Sequence, residues 1–340
     1  MSGNATYRLG NTSILAVCGV EAPVVATSDS FDERLAATYE RVGMLPGMQE
    51  QLAGVKERRW WPEDVSFADA AAMAGAKALA ESGVDPSQVG LVINTSVCRA
   101  HLEPSIAVEV HHQLGLPTSC LNFDIANACL GFVNAIQLAG TMIDAGQIEY
   151  ALLVDAEGSR ELHDNTITSL QRPETTAEEV KEAFASLTIG SGAAAMVLGR
   201  TDRHPEGHVV IGGASRAGSE HHDLCVGDLS GMRTDSRALF QAGIALAVDT
   251  WHEAQGDFDW SEVDYFMCHQ TSVKHIATMA KSVGATPEQF PMTVTTYGNL
   301  GPAAVPFTLA QSVDKLQAGM RVMLLGIGSG LNTSFAEIIW

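Results

Sequence analysis

The run Phe123-Asp124-Ile125-Ala126-Asn127-Ala128-Cys129-Leu130-Gly131-Phe132 decides how this chain is read. An apolar, strand-like stretch ends at Asn127-Ala128, and a helical stretch follows from Leu130 to Ala145. Small residues (Ala128, Gly131, Ala135, Ala139, Gly140) alternate there with Phe132, Val133, Ile136, Leu138, Met142 and Ile143. A surface helix carries a single apolar stripe, so this one is expected inside the fold. Cys129 stands at the junction, where a helix offers unpaired N–H groups and the positive end of its dipole. A thiol so placed is expected to ionise more easily than usual, and the thiolate is the reactive form. The ordinary alternative is a buried, inert cysteine. The partners found further along the chain argue against it.

The chain has 340 residues, enough for one large unit or two similar ones, and 46% hydrophobic with 18% charged residues describes a globular protein. No apolar run reaches membrane-spanning length, and Met1-Ser2-Gly3-Asn4-Ala5-Thr6 lacks the basic and apolar regions of a secretion signal. Cysteines 18, 98, 120, 129, 225 and 268 form no CxxC pair and no zinc spacing, which fits reduced thiols and a cytoplasmic location. A net charge of −20 argues against nucleic acid and against anionic membrane surfaces. An anionic substrate would then need a local basic patch. Lys56, Arg58 and Arg59, beside Trp60 and Trp61, are the best linear candidate; a solvated turn with two packed tryptophans is the competing reading.

The chain opens with a strand, Thr12 to Val20. A helix over 30–45 follows, with Ser30 as its cap, then an Ala-rich helix over 66–82 capped by Ser66 and Asp69 and ended by Gly83. Buried strands are expected at 88–97, 150–155 and 193–198, and a helix at 105–114. Residues 157–188 are polar, with a helix start at Thr175-Thr176-Ala177-Glu178, and read as an excursion that covers a site or a subunit contact. After a linker at 202–207 the order repeats: a helix at 237–255, a strand at 263–268, a strand and turn at 291–298, a helix near Gly301, and strands at 321–325 and 334–340. The strand and turn at 91–96 matches 265–272, residues 127–131 match 298–302, and 151–155 match 322–326. The expectation is a duplicated α/β unit, residues 1–200 and 201–340, with functional groups at strand C-terminal ends.

Three polar residues, Cys129, His269 and Asn299, stand at equivalent strand-to-helix junctions of this duplication. A cysteine nucleophile needs an imidazole to receive its proton, and an amide can hold a reacting carbonyl or an oxyanion. The turn Ile327-Gly328-Ser329-Gly330 follows a strand and can aim N–H groups at an oxyanion together with that of Cys129. Taken singly, each has a plainer reading as a core histidine, a turn asparagine or a tight turn.

Asn127-Ala128-Cys129-Leu130-Gly131-Phe132, His269-Gln270 and Gly298-Asn299-Leu300-Gly301-Pro302-Ala303-Ala304-Val305-Pro306 resemble the Cys–His–Asn set of the thiolase superfamily, in its β-ketoacyl-ACP synthase III branch. The resemblance covers nearly the whole chain. It implies a thiolase-like, duplicated, five-layered α-β-α-β-α fold, a homodimer, and catalysis by Cys129, His269, Asn299 and the turn at Ser329. Within the superfamily the chain most resembles the long-chain acyl-CoA-condensing enzymes of bacterial olefin synthesis, through Ile93-Asn94-Thr95-Ser96-Val97, Leu102-Glu103-Pro104-Ser105 and Leu325-Gly326-Ile327-Gly328-Ser329-Gly330-Leu331-Asn332.

Glu103 discriminates between chemistries. A decarboxylating synthase makes its carbanion by losing CO₂, whereas a non-decarboxylating condensation must take a proton from an α-carbon and needs a base. The resemblance implies that Glu103 enters the active site of the partner subunit. It further implies non-decarboxylative Claisen condensation of two long-chain acyl-CoA molecules through an acyl-cysteine. Coenzyme A then enters only as part of the substrate, no permanent cofactor or metal is expected, and downstream enzymes of olefin synthesis are possible partners. The competing enzyme is a decarboxylating β-ketoacyl-ACP synthase III; a thioesterase and a non-catalytic acyl-binding subunit stand behind it. Two positions depart from the synthase III pattern: Ser272 replaces an Asn three residues after the histidine, and the Trp and Arg that clamp coenzyme A are unmatched in Gly47-Met48-Gln49-Glu50-Gln51-Leu52-Ala53. The coenzyme-binding residues therefore stay unassigned.

Overall fold

The structure, a computed structural model, describes residues 6–340. Its strands, in chain order, are β1 (Thr6–Arg8), β2 (Thr12–Glu21), β3 (Val24–Thr27), β4 (Glu57–Trp60), β5 (Val89–Asn94), β6 (Leu121–Asp124), β7 (Tyr150–Glu157), β8 (Gly192–Arg200), β9 (His208–Ala217), β10 (Cys225–Asp228), β11 (Gly231–Thr234), β12 (Tyr265–Cys268), β13 (Arg321–Gly328) and β14 (Asn332–Ile339). The main sheet runs β12-β13-β14-β9-β2-β8-β7-β5-β6, with β1 on β9. Only Ser13–Val209 and Ile14–His208 join β2 to β9, so the sheet falls into two halves at that seam. In one half β6, β5 and β7 are parallel while β8 and β2 alternate in direction. In the other, β12 and β13 are parallel while β14 and β9 alternate.

Side-chain alternation builds the layers. On β13, Val322 and Leu324 face a core shared by both halves, which holds Phe132, Val133, Ile136 and Ile143 of the Gly131–Asp144 helix and Val305 and Leu309 of the Ala304–Ala310 helix. Met323, Leu325 and Ile327 face the other way, against Trp251 and Ala254 of the Ser236–Ala254 helix and Ile276 and Met279 of the Val273–Ser282 helix. On β7, Leu153 joins the shared core while Leu152 and Val154 pack on the Phe67–Ser82 helix. The result is helix, sheet, helix, sheet, helix. The Gly131–Asp144 helix buries its small residues and most of its large ones, while Leu138, Thr141 and Asp144 are exposed along one face.

The Ser66–Asp69 capping box and the left-handed Gly83 end the 67–82 helix as expected. Three local expectations fail. Thr27, and not Ser30, caps the Ser28–Val42 helix, because β3 runs straight into it. The 157–188 excursion holds a helix at Arg160–Leu170 that its polarity concealed; that helix buries Ile167 and Leu170 against Phe31 and Leu35. No strand forms at 291–293, where the first half has β6; the chain goes through coil into a short helix, Val294–Tyr297. Nor is the basic stretch a surface patch. Arg58 is fully buried, bonded to Ser28, Gln49 and the Leu187 carbonyl, and Arg59 pairs with Glu57 at 2.9 Å.

Candidate active site

After β6 the chain stays beside β5 for one more residue, with the Ile125 N–H donating to the Asn94 carbonyl at 2.9 Å. It then turns sharply at Ala128, whose φ of 44° is the one positive value at a non-glycine among the described residues. Leu130 N–H closes the turn on the Asn127 carbonyl at 3.0 Å, and the helix begins at Gly131. Asn127 is held from two sides, donating to Asn134 at 2.6 Å and accepting from Asn332 at 3.3 Å. The β13–β14 turn lies against this corner: a Cβ on Gly328 would sit 3.1 Å from the Cys129 nitrogen. Ser329, partly buried, is the next residue of that turn.

His269 leaves β12 on the same strand. Its N–H donates to the Leu325 carbonyl at 2.8 Å, extending the β12–β13 ladder. Leu325 and Gly328 are separated by about 10 Å of strand, so one stretch of β13 borders both the cysteine and the histidine turns. Gln270, fully buried, ties the histidine turn to the third element. Its amide donates to the Cys268 and Pro291 carbonyls, and its Oε1 accepts the N–H groups of Thr293 and Val294 at 2.9 and 3.1 Å. Those bonds replace the ladder that a strand at 291–293 would have made.

Asn299 follows the Val294–Tyr297 helix. It donates its N–H to the Thr188 carbonyl and accepts from Gly190 N–H, both at 2.9 Å. Its Oδ1 accepts Gly301 N–H at 3.0 Å, which leaves Nδ2 as the donor end of the side chain. Gly301 has a φ of 54°, and a Cβ there would lie 3.4 Å from the Glu157 carboxyl carbon. The Gly301–Ala303 turn also packs against the Gly131–Asp144 helix. The Cys129 and His269 turns therefore both border β13, and the turn after Asn299 packs on the Gly131–Asp144 helix that follows Cys129. Glu103 does not join them within the chain. It sits in an exposed loop beside Leu102, which is 94% exposed.

Electrostatics correct one expectation. The Cys129 thiol is pushed well up, first by loss of hydration, then by nearby Cys225, Glu157 and Asp155; its own N–H is the group that favours the thiolate. The N–H at the helix start does not prevail against burial and the neighbouring Glu157 charge. Burial and His275 lower His269 to about 3, so its imidazole is neutral. His269 Nδ1 and His275 Nε2 have no hydrogen-bond partner. The resting pair is thus a thiol and a neutral base.

Asp155 and Glu157 were missed in the sequence, although two carboxylates at i and i+2 closing an apolar strand were visible. Both are buried at the end of β7. Burial and the Glu157 charge push Asp155 well up; burial takes Glu157 to about 7, opposed by bonds from Cys98 and Val97. The proton therefore belongs to Asp155 and the charge to Glu157. Ser272, the departure noted above, is a helix cap whose Oγ accepts His275 N–H at 3.1 Å. Among the described residues no group of three or more His, Cys, Asp and Glu is arranged to hold a metal, and no helix is long and apolar enough to cross a membrane.

Comparison with known proteins places this site in a family. The 3-oxoacyl-[acyl-carrier-protein] synthase III description matches residues 123–215, and its C-terminal counterpart matches 254–340. The chain belongs to this synthase III family of thiolase-fold acyltransferases. Within it, the chain is 41% identical over 334 residues to an acyl-CoA:acyl-CoA alkyltransferase of Xanthomonas campestris pv. campestris, covering 97% of this chain and 99% of the relative. It is 34% identical to the acyl-CoA:acyl-CoA alkyltransferase of Shewanella oneidensis, over 94% of this chain and 96% of the relative. A crystal structure of Xanthomonas campestris OleA, with a cysteine replaced by serine and with bound lauric acid and lauroyl-CoA, superposes with a TM-score of 0.96 at 40% identity, covering 98% of this chain and all of that one.

Proposed function

We propose that this chain joins two long-chain acyl-CoA molecules by non-decarboxylative Claisen condensation, the first step of long-chain olefin hydrocarbon synthesis. The observation that carries the reading is full-length similarity to acyl-CoA:acyl-CoA alkyltransferases, in a chain whose Cys129 and His269 turns both border β13. Cys129 attacks the first thioester as a thiol. Neutral His269 takes the proton as the carbon–sulfur bond forms, then gives it to the departing coenzyme A sulfur. The N–H of Cys129 and the 327–330 turn, with Ser329 in it, hold the tetrahedral oxyanion. Glu103 of the partner subunit removes an α-proton from the second acyl-CoA, and Asn299 with His269 holds the enolate oxygen. The carbanion attacks the acyl-cysteine, the Cys129 sulfur leaves as the carbon–carbon bond forms, the proton held by Glu103 returns to that sulfur, and a β-keto product remains.

The protein works as a cytoplasmic homodimer of duplicated halves, 1–200 and 201–340, with no cofactor beyond the coenzyme A of its substrate. The end strand β6, with Leu121 half exposed, and the exposed Val97 and Leu102 of the Glu103 loop supply an apolar face for the second copy. Downstream enzymes of the same route would receive the product.

The test is product analysis with purified protein and a single acyl-CoA. Free coenzyme A with β-keto product, and no malonyl group added, is the expected result. Release of fatty acid alone makes the protein a thioesterase. A strict need for a malonyl thioester makes it a decarboxylating synthase.

A further inference from the structure

We infer that Glu157 is the positioning residue that fastens the root of the Glu103 loop to the floor of the cysteine site. The inference rests on the role just proposed for Glu103. That loop leaves the end of β5 and crosses the surface to the Ile106–Gln113 helix. Its outer residues, His101, Leu102, Glu103 and Pro104, are all exposed, and among them His101 meets Glu109 of the following helix at 3.0 Å. The backbone of the loop is bonded at its two ends. At the far end Asp124, closing β6, accepts the N–H groups of Ile106 and Ala107 at 3.1 and 3.0 Å and pairs with Arg99 at 3.8 Å. At the root Glu157 accepts Val97 N–H on Oε1 at 2.6 Å and Cys98 N–H on Oε2 at 3.3 Å. Cys98 is bonded in turn to Gly158 through its sulfur, at 3.2 and 3.4 Å.

Two convergent N–H donors need one group with two acceptor oxygens. A carboxylate meets that need. An amide does not, because its NH₂ would face one of the donors. The same carboxyl group packs under Gly301, two residues beyond Asn299. Its charge opposes ionisation of Cys129. Glu157 thus spans the two halves of the reaction: one face meets the turn of the oxyanion amide, the other the root of the loop that carries the carbon base. Asp155, next on the same face of β7, keeps the proton and leaves Glu157 free to accept.

The test compares Glu157→Gln, Glu157→Asp and Glu103→Ala in two assays. Cys129 acylation is followed by intact-protein mass, and condensation by β-keto product. For Glu157→Gln the ratio of condensation to acylation falls about 10- to 100-fold, the cost of a base displaced by roughly an ångström. Glu157→Asp, shorter by one methylene yet still charged, shows the same split in smaller measure, so the result does not hang on one variant folding. In the Glu103→Ala background, Glu157→Gln lowers residual condensation no further, whereas a merely structural role would lower it again. An unchanged ratio in both Glu157 variants, with condensation by Glu103→Ala reduced to a residual level, overturns this inference and leaves Glu103 as the base. Normal condensation by Glu103→Ala overturns the role of Glu103 itself.

Discussion

Cys129 rests as a thiol, and this governs how its reaction starts. A resting thiolate–imidazolium pair would need His269 to hold a proton, yet burial and His275 keep that imidazole neutral down to about pH 3. It would also need a stabilised sulfur anion, which burial and the Glu157 charge oppose. A raised thiol pKa leaves the thiolate a minor species that grows with pH until that pKa is passed. Carboxamidomethylation of Cys129, followed by peptide mass spectrometry, should therefore rise about tenfold per pH unit from pH 7 to 9. A rate already level near pH 7 would reveal a resting thiolate. The Cys129 and His269 turns were legible because each follows the apolar run of a parallel strand, β6 and β12; Asn299 follows a short helix and no strand, and was legible only from its Gly298-Asn299-Leu300-Gly301-Pro302 motif. The protonation state was not, since it is set by burial in the folded site and by the charge of Glu157, 28 residues further along the chain on β7.

At the scale of elements, the second half omits a strand and still holds its asparagine. Where β6 pairs with β5 in the first half, residues 291–293 make no ladder, and Gln270 supplies the bonds from within. This escaped the sequence because the apolar run at 291–294 looks like a strand, while its partner is one side chain from the preceding junction. The helix caps were readable for the opposite reason: Ser66 and Asp69 act within three residues of each other. Gln270→Ala strands two buried donors and two carbonyls. Unpaired buried polar groups cost about 1–3 kcal/mol each before relaxation. The variant should lose roughly 2–4 kcal/mol of stability in denaturant titration, and about tenfold in turnover while still folded, as Asn299 loosens. Unchanged turnover would show that the 291–294 segment does not set the asparagine's place.

For the whole molecule, the order of elements carried the duplication and the layers, because each half buries the same faces in the same sequence. What one chain does not bring to Cys129 is the Glu103 carboxylate. Glu103 is exposed, and its loop is rooted at Glu157 but directed outward, past Leu102. If the site is completed across a dimer, two defective chains can repair each other. Glu103→Ala protomers keep the nucleophile, and Cys129→Ala protomers keep the base. Random pairing makes about half the dimers mixed, each with one site holding both groups, or about a quarter of all sites. Mixing the two variants under subunit exchange should restore condensation to about that fraction of the unmodified protein, read as β-keto product from one acyl-CoA. A glutamate acting within its own chain leaves every site in the mixture lacking one group, and no product returns.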